Sequence, residues 1–176
     1  MAQDLDSLLH QHDELEELFL CHQEALLAQQ PRLALLFLQV YGELLAVHME
    51  FEDHVLLPRY AQSGPAERAP VVLYSGQHRK LSMLLSASRT LTLQLVEGVE
   101  RPRRHVLRTL DLESTLKHLC EHHHVAESTW LFPRLETVLV AAEREVLTQR
   151  GWAVWNAKRR ELTDSSSAAR AELAVL

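Results

Sequence analysis

The sequence predicts an all-α protein: an antiparallel, up-down four-helix bundle forming one domain, with a short C-terminal extension. Three observations predict this class: the 176-residue chain is 47% apolar, it has only five glycines, and long proline-free stretches repeat apolar residues at helical spacing. A fold rich in β-turns would need more glycine. A single domain of this length buries roughly 70% of the surface that its unfolded chain exposes, which is enough for a complete helical bundle.

Four helices follow from the periodic segments and the breaks between them. The predicted segments are, in order, about 4–29, 32–58, 70–97 and 104–132, with further helix to about residue 150. Pro31 suits the first turn of the second helix, and Pro133 is expected to end or kink the fourth. We assign 1–150 to the bundle and 151–176 to a tail that either packs as a short capping helix or frays.

A weak internal repeat relates the two halves of the chain. Gln11-His12-x-x-Leu15 recurs as Gln77-His78-x-x-Leu81. His48-x-x-x-Glu52 followed by Leu57-Pro58 recurs as His123-x-x-x-Glu127 followed by Phe132-Pro133. The two helix pairs are therefore predicted to be copies of one hairpin.

Helical phase separates the histidines that face the core from those that do not. An isolated His-x-x-x-Glu is weak, because His10 and His12 also precede a glutamate by four residues. At about 100° per residue, only positions three, four and seven apart share a helix face. The face around His12 is leucine-rich, whereas His10 points away from it. The candidates that phase and repeat select are His12, His48, Glu52, His78, His123 and Glu127.

Two glutamates on apolar faces indicate cations close by. Burying a carboxylate without a partner costs several kcal/mol, and lysine and arginine are largely missing from these faces. Imidazole with carboxylate, without thiolate, suits iron, manganese or zinc. The metal-free alternative is a set of core histidines that hydrogen-bond to the two glutamates. Ferritin-like bundles use Glu-x-x-His instead, so the His-x-x-x-Glu spacing separates this chain from them.

The positions of the breaks provide an independent test. If antiparallel helices carry ligands at one level, the turn joining them must lie midway between those ligands in sequence. The midpoints of His12/His48, Glu52/His78 and His78/His123 are 30, 65 and a point between 100 and 101, and the breaks are Gln30-Pro31, Gly64-Pro65 and Gly98 to Pro102. All six candidates are therefore predicted to converge near the middle of the bundle.

These motifs resemble the hemerythrin-like (HHE cation-binding) family over about residues 5–140. The resemblance implies a hemerythrin-like bundle that holds two non-haem irons. It also implies that Glu52 and Glu127 bridge the irons and that His12, His48, His78 and His123 are terminal ligands.

One departure from the family pattern bears on function. Oxygen-carrying hemerythrins have a further histidine four residues after the third-helix ligand, and Ser82 stands at that position here. Reversible oxygen carriage is therefore not expected, unless His118, His122 or Glu16 supplies the missing ligand. The expected function is binding or sensing of O2, NO or peroxide. The alternatives are a peroxidase-like or nitric-oxide-handling di-iron enzyme and an iron storage or donor module.

Charge and composition limit the partners and the location. The net charge of −6 without a basic stripe disfavours nucleic acid. No apolar run reaches the roughly 18 residues of a membrane span and the N-terminus is acidic, so a cytoplasmic protein is expected, with a separate protein for any readout. Cys21 and Cys120 are too few to form a disulfide framework. The histidines expected to be solvated are His22, His54, His105 and His124.

Overall fold

The computed structural model describes the backbone of residues 4–64 and 69–173, and within these segments the protein consists of five helices without strands. Helix α1 comprises a 3-10 turn, Leu5–His10, and Gln11–Leu27; α2 comprises Pro31–Phe51, the π-helical Glu52–Leu56 and Leu57–Gln62; α3 is Val71–Glu97; α4 comprises Pro102–Ala126, the π-helical Glu127–Leu131 and Phe132–Val138; and α5 is Ala141–Leu173. The all-α prediction is confirmed.

The connections lie where proline and glycine predict them. Pro31 and Pro102 occupy the first turns of α2 and α4, where the missing N–H costs no helical hydrogen bond. Gly64 and Gly98 have φ of 105° and 99°, a region that favours glycine. The helices thus end at the three breaks that lie midway between the candidate ligands in sequence.

The core forms around α2, which packs against α1, α3 and α5. The α1–α2 and α3–α4 hairpins are each tightly packed, whereas α1 and α4 approach each other less closely. The predicted boundary at residue 150 falls inside α5, which runs on to Leu173. Trp155, only 1% exposed, anchors this helix, and its indole N–H donates to Glu14 Oε2 over 3.3 Å.

A π-helical turn occurs at the same place in both halves of the chain. The N–H of Leu57 bonds to the carbonyl of Glu52, and the N–H of Phe132 bonds to the carbonyl of Glu127, five residues back in each case. A proline follows directly, and its ring would clash with the carbonyl four residues earlier in a regular α-helix. The wider turn accommodates each proline, so α4 continues beyond Pro133 to Val138.

Helix α2 is the one helix in the described residues that is long and apolar enough to cross a membrane. Most of its apolar side chains, including Phe37, Leu38 and Leu44, are buried in the protein core. Core helices of soluble proteins have the same length and composition, so the helix is compatible with a soluble protein.

Candidate metal centre

The structure brings the six predicted side chains together in the interior. Helices α1 and α3 each contribute one histidine, and α2 and α4 each contribute a histidine and a glutamate. Five of the six residues are at most 4% exposed, while the side chain of His12 is 15% exposed: the buried five are His48, Glu52, His78, His123 and Glu127. The three connections between the helices therefore fold the chain so that its four ligand-bearing helices meet at one place.

The four histidines form two pairs, one from each hairpin. The ring centroids of His12 and His48 are 4.6 Å apart, and those of His78 and His123 are 4.7 Å apart. In both pairs the rings are close to perpendicular, with interplanar angles of 80° and 76°. The imidazoles of each hairpin thus face a common space.

Glu52 reaches both histidine pairs. Its Oε1 lies 3.5 Å from His48 Nε2, and its Oε2 lies 3.1 Å from His78 Nε2 and 3.5 Å from His123 Nε2. One carboxylate oxygen therefore faces the pair on α1 and α2, and the other faces the pair on α3 and α4.

Glu127, on α4, also contacts histidines of both pairs. Its Oε2 lies 3.1 Å from His12 Nε2, and its Oε1 lies 2.5 Å from His123 Nε2 and 4.0 Å from His48 Nε2. Each carboxylate consequently spans the two histidine pairs, a geometry suited to bridging two cations.

In each of the four candidate histidines, the ring nitrogen Nδ1 lies within hydrogen-bonding distance of an acceptor. His48 Nδ1 lies 3.0 Å from Gln11 Oε1, His123 Nδ1 lies 3.0 Å from Gln77 Oε1, His78 Nδ1 lies 2.9 Å from Asp53 Oδ1, and His12 Nδ1 lies 3.0 Å from the carbonyl of Leu9. An acceptor at Nδ1 places a proton there and directs Nε2 at the centre, as in metal-ligating histidines. The sequence repeat contained both glutamines, but their role was not predicted.

Asp53 makes the two halves unequal. It follows Glu52 and holds His78 through a carboxylate, whereas Ser128, which follows Glu127, donates its hydroxyl to the carbonyl of His124. A carboxylate on Nδ1 makes an imidazole a stronger donor than a backbone carbonyl does. The two histidine pairs are therefore chemically distinct.

Five buried atoms at this centre make no hydrogen bond of good geometry among the described residues, although each lies within 3.5 Å of an imidazole or carboxylate atom of the same centre: His12 Nε2, His48 Nε2, Glu52 Oε1 and both carboxylate oxygens of Glu127. Each unsatisfied buried group costs about 1–3 kcal/mol, and charged groups cost more. One ligand atom from each of four residues, His48, Glu52, His123 and Glu127, lies within 4.8 Å of the others. This buried group could hold a metal ion, which would satisfy the unpartnered atoms.

The charges at the centre favour a cation. Burial disfavours the ionised form of Glu127, but contact with His123 and His12 outweighs burial and holds the pKa of this carboxyl well below its usual range. Burial lowers the pKa of His48 to about 3, so this imidazole is neutral at pH 7, the form that binds metals. Burial likewise works against a charge on His123, yet Glu127 and Glu52 raise the pKa of this histidine to about 10. A metal would displace that proton.

The side chains considered as replacements for a fifth histidine lie outside the centre. His118 and His122 are exposed, with their Nε2 atoms 3.0 Å apart. Glu16 is exposed beside Lys117, at 3.9 Å. Ser82 is also exposed, and its hydroxyl donates to the carbonyl of His78.

Three of the four histidines expected to be solvated are not. His105 is half-buried, and its Nε2 donates to the carbonyl of Leu91 over 3.0 Å. His22 is completely buried: its Nδ1 donates to the carbonyl of Ala34 over 2.7 Å, and its Nε2 lies 2.7 Å from Glu113 Oε1. A full set of partners makes such burial tolerable. His124 is half-buried, with its ring centroid 4.4 Å from that of His12. His54 is exposed as predicted, and Cys21 and Cys120 are free thiols.

A pocket of about 380 Å³ opens onto the centre between α1 and α4. His12, His48 and His123 lie at its inner end, and Tyr41 and Cys120 lie on its wall with Oη and Sγ 3.3 Å apart. The pocket gives a small molecule a route to one side of the candidate centre. No family model, curated protein or solved structure matches this chain.

Proposed function

We propose that this chain is a non-haem di-iron protein of the hemerythrin-like class that binds or senses O2, NO or peroxide. The five buried atoms that converge on one centre without a hydrogen bond of good geometry carry the proposal, because a cation is the partner that satisfies both imidazole nitrogens and carboxylates. In this proposal α1 to α4 form the hemerythrin-like four-helix bundle, and α5 packs on its outside.

The arrangement of the glutamates favours two ions over one. His12 and His48 would hold the first ion, His78 and His123 the second, and Glu52 and Glu127 would bridge them. Each carboxylate directs one oxygen to each pair, as a bridge requires. Nitrogen and oxygen donors suit several divalent metals, and the family resemblance favours iron among them. A pair of ferrous ions would supply the electrons and open positions needed to bind O2, NO or peroxide.

Four histidines and two carboxylates leave more coordination positions open than the oxygen carriers have. Ser82 is exposed and bonded to its own helix, so it offers no substitute for the additional histidine. We therefore favour sensing or reaction over reversible oxygen carriage. The protein is proposed to be cytoplasmic, to require a separate partner for any readout, and to bind neither nucleic acid nor membrane.

A di-iron enzyme of peroxidase-like or nitric-oxide-handling type is the second candidate. The pocket beside His12 and His48 favours it, because an enzyme needs room for a substrate at the metal. An iron storage or donor role is supported less well, because the donor atoms are buried and the histidines are fixed by bonds at Nδ1.

Elemental analysis of protein produced with ample iron tests the proposal. About two irons per chain are expected. His48→Ala and Glu127→Ala should lose most of the metal, since each removes an inward-facing donor, while the matched control His10→Ala should keep it because this side chain is 74% exposed. One zinc or no metal in the unaltered protein contradicts the di-iron proposal, and so does equal metal loss from His10→Ala.

A further inference from the structure

The pocket between α1 and α4 is much larger than a diatomic ligand requires. A water molecule, which is close in size to O2 or NO, takes up about 30 Å³. The pocket volume of about 380 Å³ lies instead in the range of sites for organic ligands, about 300–1,000 Å³. The pocket exists because α1 and α4 pack less closely than the helices of either hairpin.

The walls of the pocket are mostly apolar from the surface to the centre. Leu20 and Val125, which are 38% and 57% exposed, lie at the outer end. Further in, the wall is formed by buried apolar side chains: Leu15, Phe19, Leu45 and Leu81. An occupant with an apolar body would remove this surface from water, which stabilises the complex by roughly 25 cal/mol per Å² of buried apolar area.

The charges around the pocket disfavour an anionic occupant. Asp13, Glu16 and Glu121 line it together with a single lysine, Lys117, which lies 3.9 Å from Glu16. Three carboxylates against one ammonium give the rim a net negative charge. A fatty acid carboxylate would be repelled there, whereas a neutral molecule would not.

At its inner end, next to the candidate metal centre, the pocket is lined by polar groups. His12 and His48 line the pocket, and their Nε2 atoms make no hydrogen bond of good geometry among the described residues. Nearby, Tyr41 and Cys120 share one hydrogen bond, so one of their two protons is available to a bound oxygen atom. His123 also lines the pocket whereas His78 does not, so a bound molecule would meet both histidines of the first pair and only one of the second.

We propose that this pocket binds a neutral alkyl hydroperoxide, with the alkyl chain along the leucine-lined wall and the hydroperoxide group at the His12/His48 end. This inference rests on the proposed function and narrows its peroxide ligand to an organic one. Hydrogen peroxide would leave the apolar wall uncovered.

Binding of two redox-inert probes, 1-octanol and octanoate, to metal-free and iron-loaded protein tests the inference. By calorimetry on the metal-free protein, 1-octanol should bind at least tenfold more tightly than octanoate, because the rim repels the carboxylate. Leu45→Phe narrows the inner wall and Leu20→Trp obstructs the mouth, and each should weaken octanol binding at least tenfold. Leu93→Trp, on α3 and 37% exposed, is the matched control and should bind octanol normally.

Iron content and helical circular dichroism are measured on the same samples. Leu20→Trp alters a partly exposed side chain, so it provides the test if Leu45→Phe fails to fold. Failure of 1-octanol to bind, octanoate binding of equal strength to the metal-free protein, or normal octanol binding by a folded Leu20→Trp variant overturns the inference. Two irons without octanol binding overturns the inference alone, whereas octanol binding without iron overturns the proposed function and the hydroperoxide assignment together.

Discussion

At the scale of single residues, an acceptor at Nδ1 orients each of the four candidate histidines. Helical phase and turn midpoints were enough to predict that six side chains converge, because both depend only on regular helix geometry. The partners were not predictable in this way. Gln11 and Asp53 act across helices, and His22 is buried because Glu113, 91 residues away in sequence, lies opposite. Such pairs depend on packing that a single helix does not reveal.

The supporting glutamines should matter for metal affinity. Gln11→Ala or Gln77→Ala leaves all six inward-facing donors in place but frees the ring of His48 or His123 to rotate. Loss of such a supporting hydrogen bond typically weakens metal binding about 10–100-fold. Competition with a chelator measures the change.

Gln94→Ala, at an exposed position on α3, is the control and should retain the affinity of the unaltered protein. If the two supporting substitutions bind metal as tightly as Gln94→Ala, the glutamines do not orient the ligands.

At the scale of elements, the sequence predicts the breaks between helices better than it predicts the shape and length of the helices themselves. Proline and glycine mark the helix ends locally, so the three breaks were predictable. The π-helical turns were not predictable, because a proline within a helix is compatible with a helix end, a kink or a wider turn. Each of these turns begins at a candidate ligand, Glu52 or Glu127. The length of α5 was also missed, since its packing on α2 depends on Trp155 and Gly151 rather than on strong periodicity.

Gly151 allows α5 to approach the first two helices. A Cβ atom at this position would lie 2.7 Å from Leu8 Cδ2 and 3.1 Å from Phe51 Cε1. Overpacking of this kind typically costs about 1–3 kcal/mol, more than the roughly 0.5–1 kcal/mol that alanine gains over glycine within a helix. Gly151→Ala should therefore lower the free energy of unfolding by about 1 kcal/mol, measured by urea denaturation.

Gly76→Ala is the matched comparison in α3. The nearest atom to its added Cβ would be the end of the Arg79 side chain, at 3.9 Å. This substitution should raise the free energy of unfolding by roughly 0.5–1 kcal/mol. Equal stabilisation by both substitutions would show that α5 can move away from Leu8 and Phe51 without loss.

At the scale of the whole molecule, the candidate centre links folding stability to metal binding. Glu52 and Glu127 are both buried in the interior, and the repulsion between these two carboxylates opposes the metal-free fold. Because the ligands come from four helices, an unfolded chain does not present them together. Metal binding should consequently stabilise the native state selectively.

Ferrous iron under anaerobic conditions should raise the melting temperature. At a free metal concentration 100 times Kd, binding to the native state alone adds about 2.7 kcal/mol, which corresponds to roughly 5–11 °C for a protein of this size. Differential scanning calorimetry with and without iron measures the shift. Glu127→Gln should abolish most of it, while His54→Ala, at an exposed position, should not. An unchanged melting temperature in the unaltered protein would mean that the native state binds no iron.

The division of contacts between the halves has a consequence for how such a centre can be assembled. Glutamine support stays within a hairpin, from Gln11 to His48, but the lone histidine of each hairpin contacts the glutamate of the other: His12 meets Glu127, and His78 meets Glu52. The α1–α2 hairpin alone would orient its own rings yet lack the second carboxylate, and the α3–α4 hairpin alone would also lack Asp53, which holds His78. Two such hairpins placed face to face complete each other, so α1 to α4 have the form of a pseudosymmetric dimer whose two halves are successive in the chain and differ at Asp53 and Ser128.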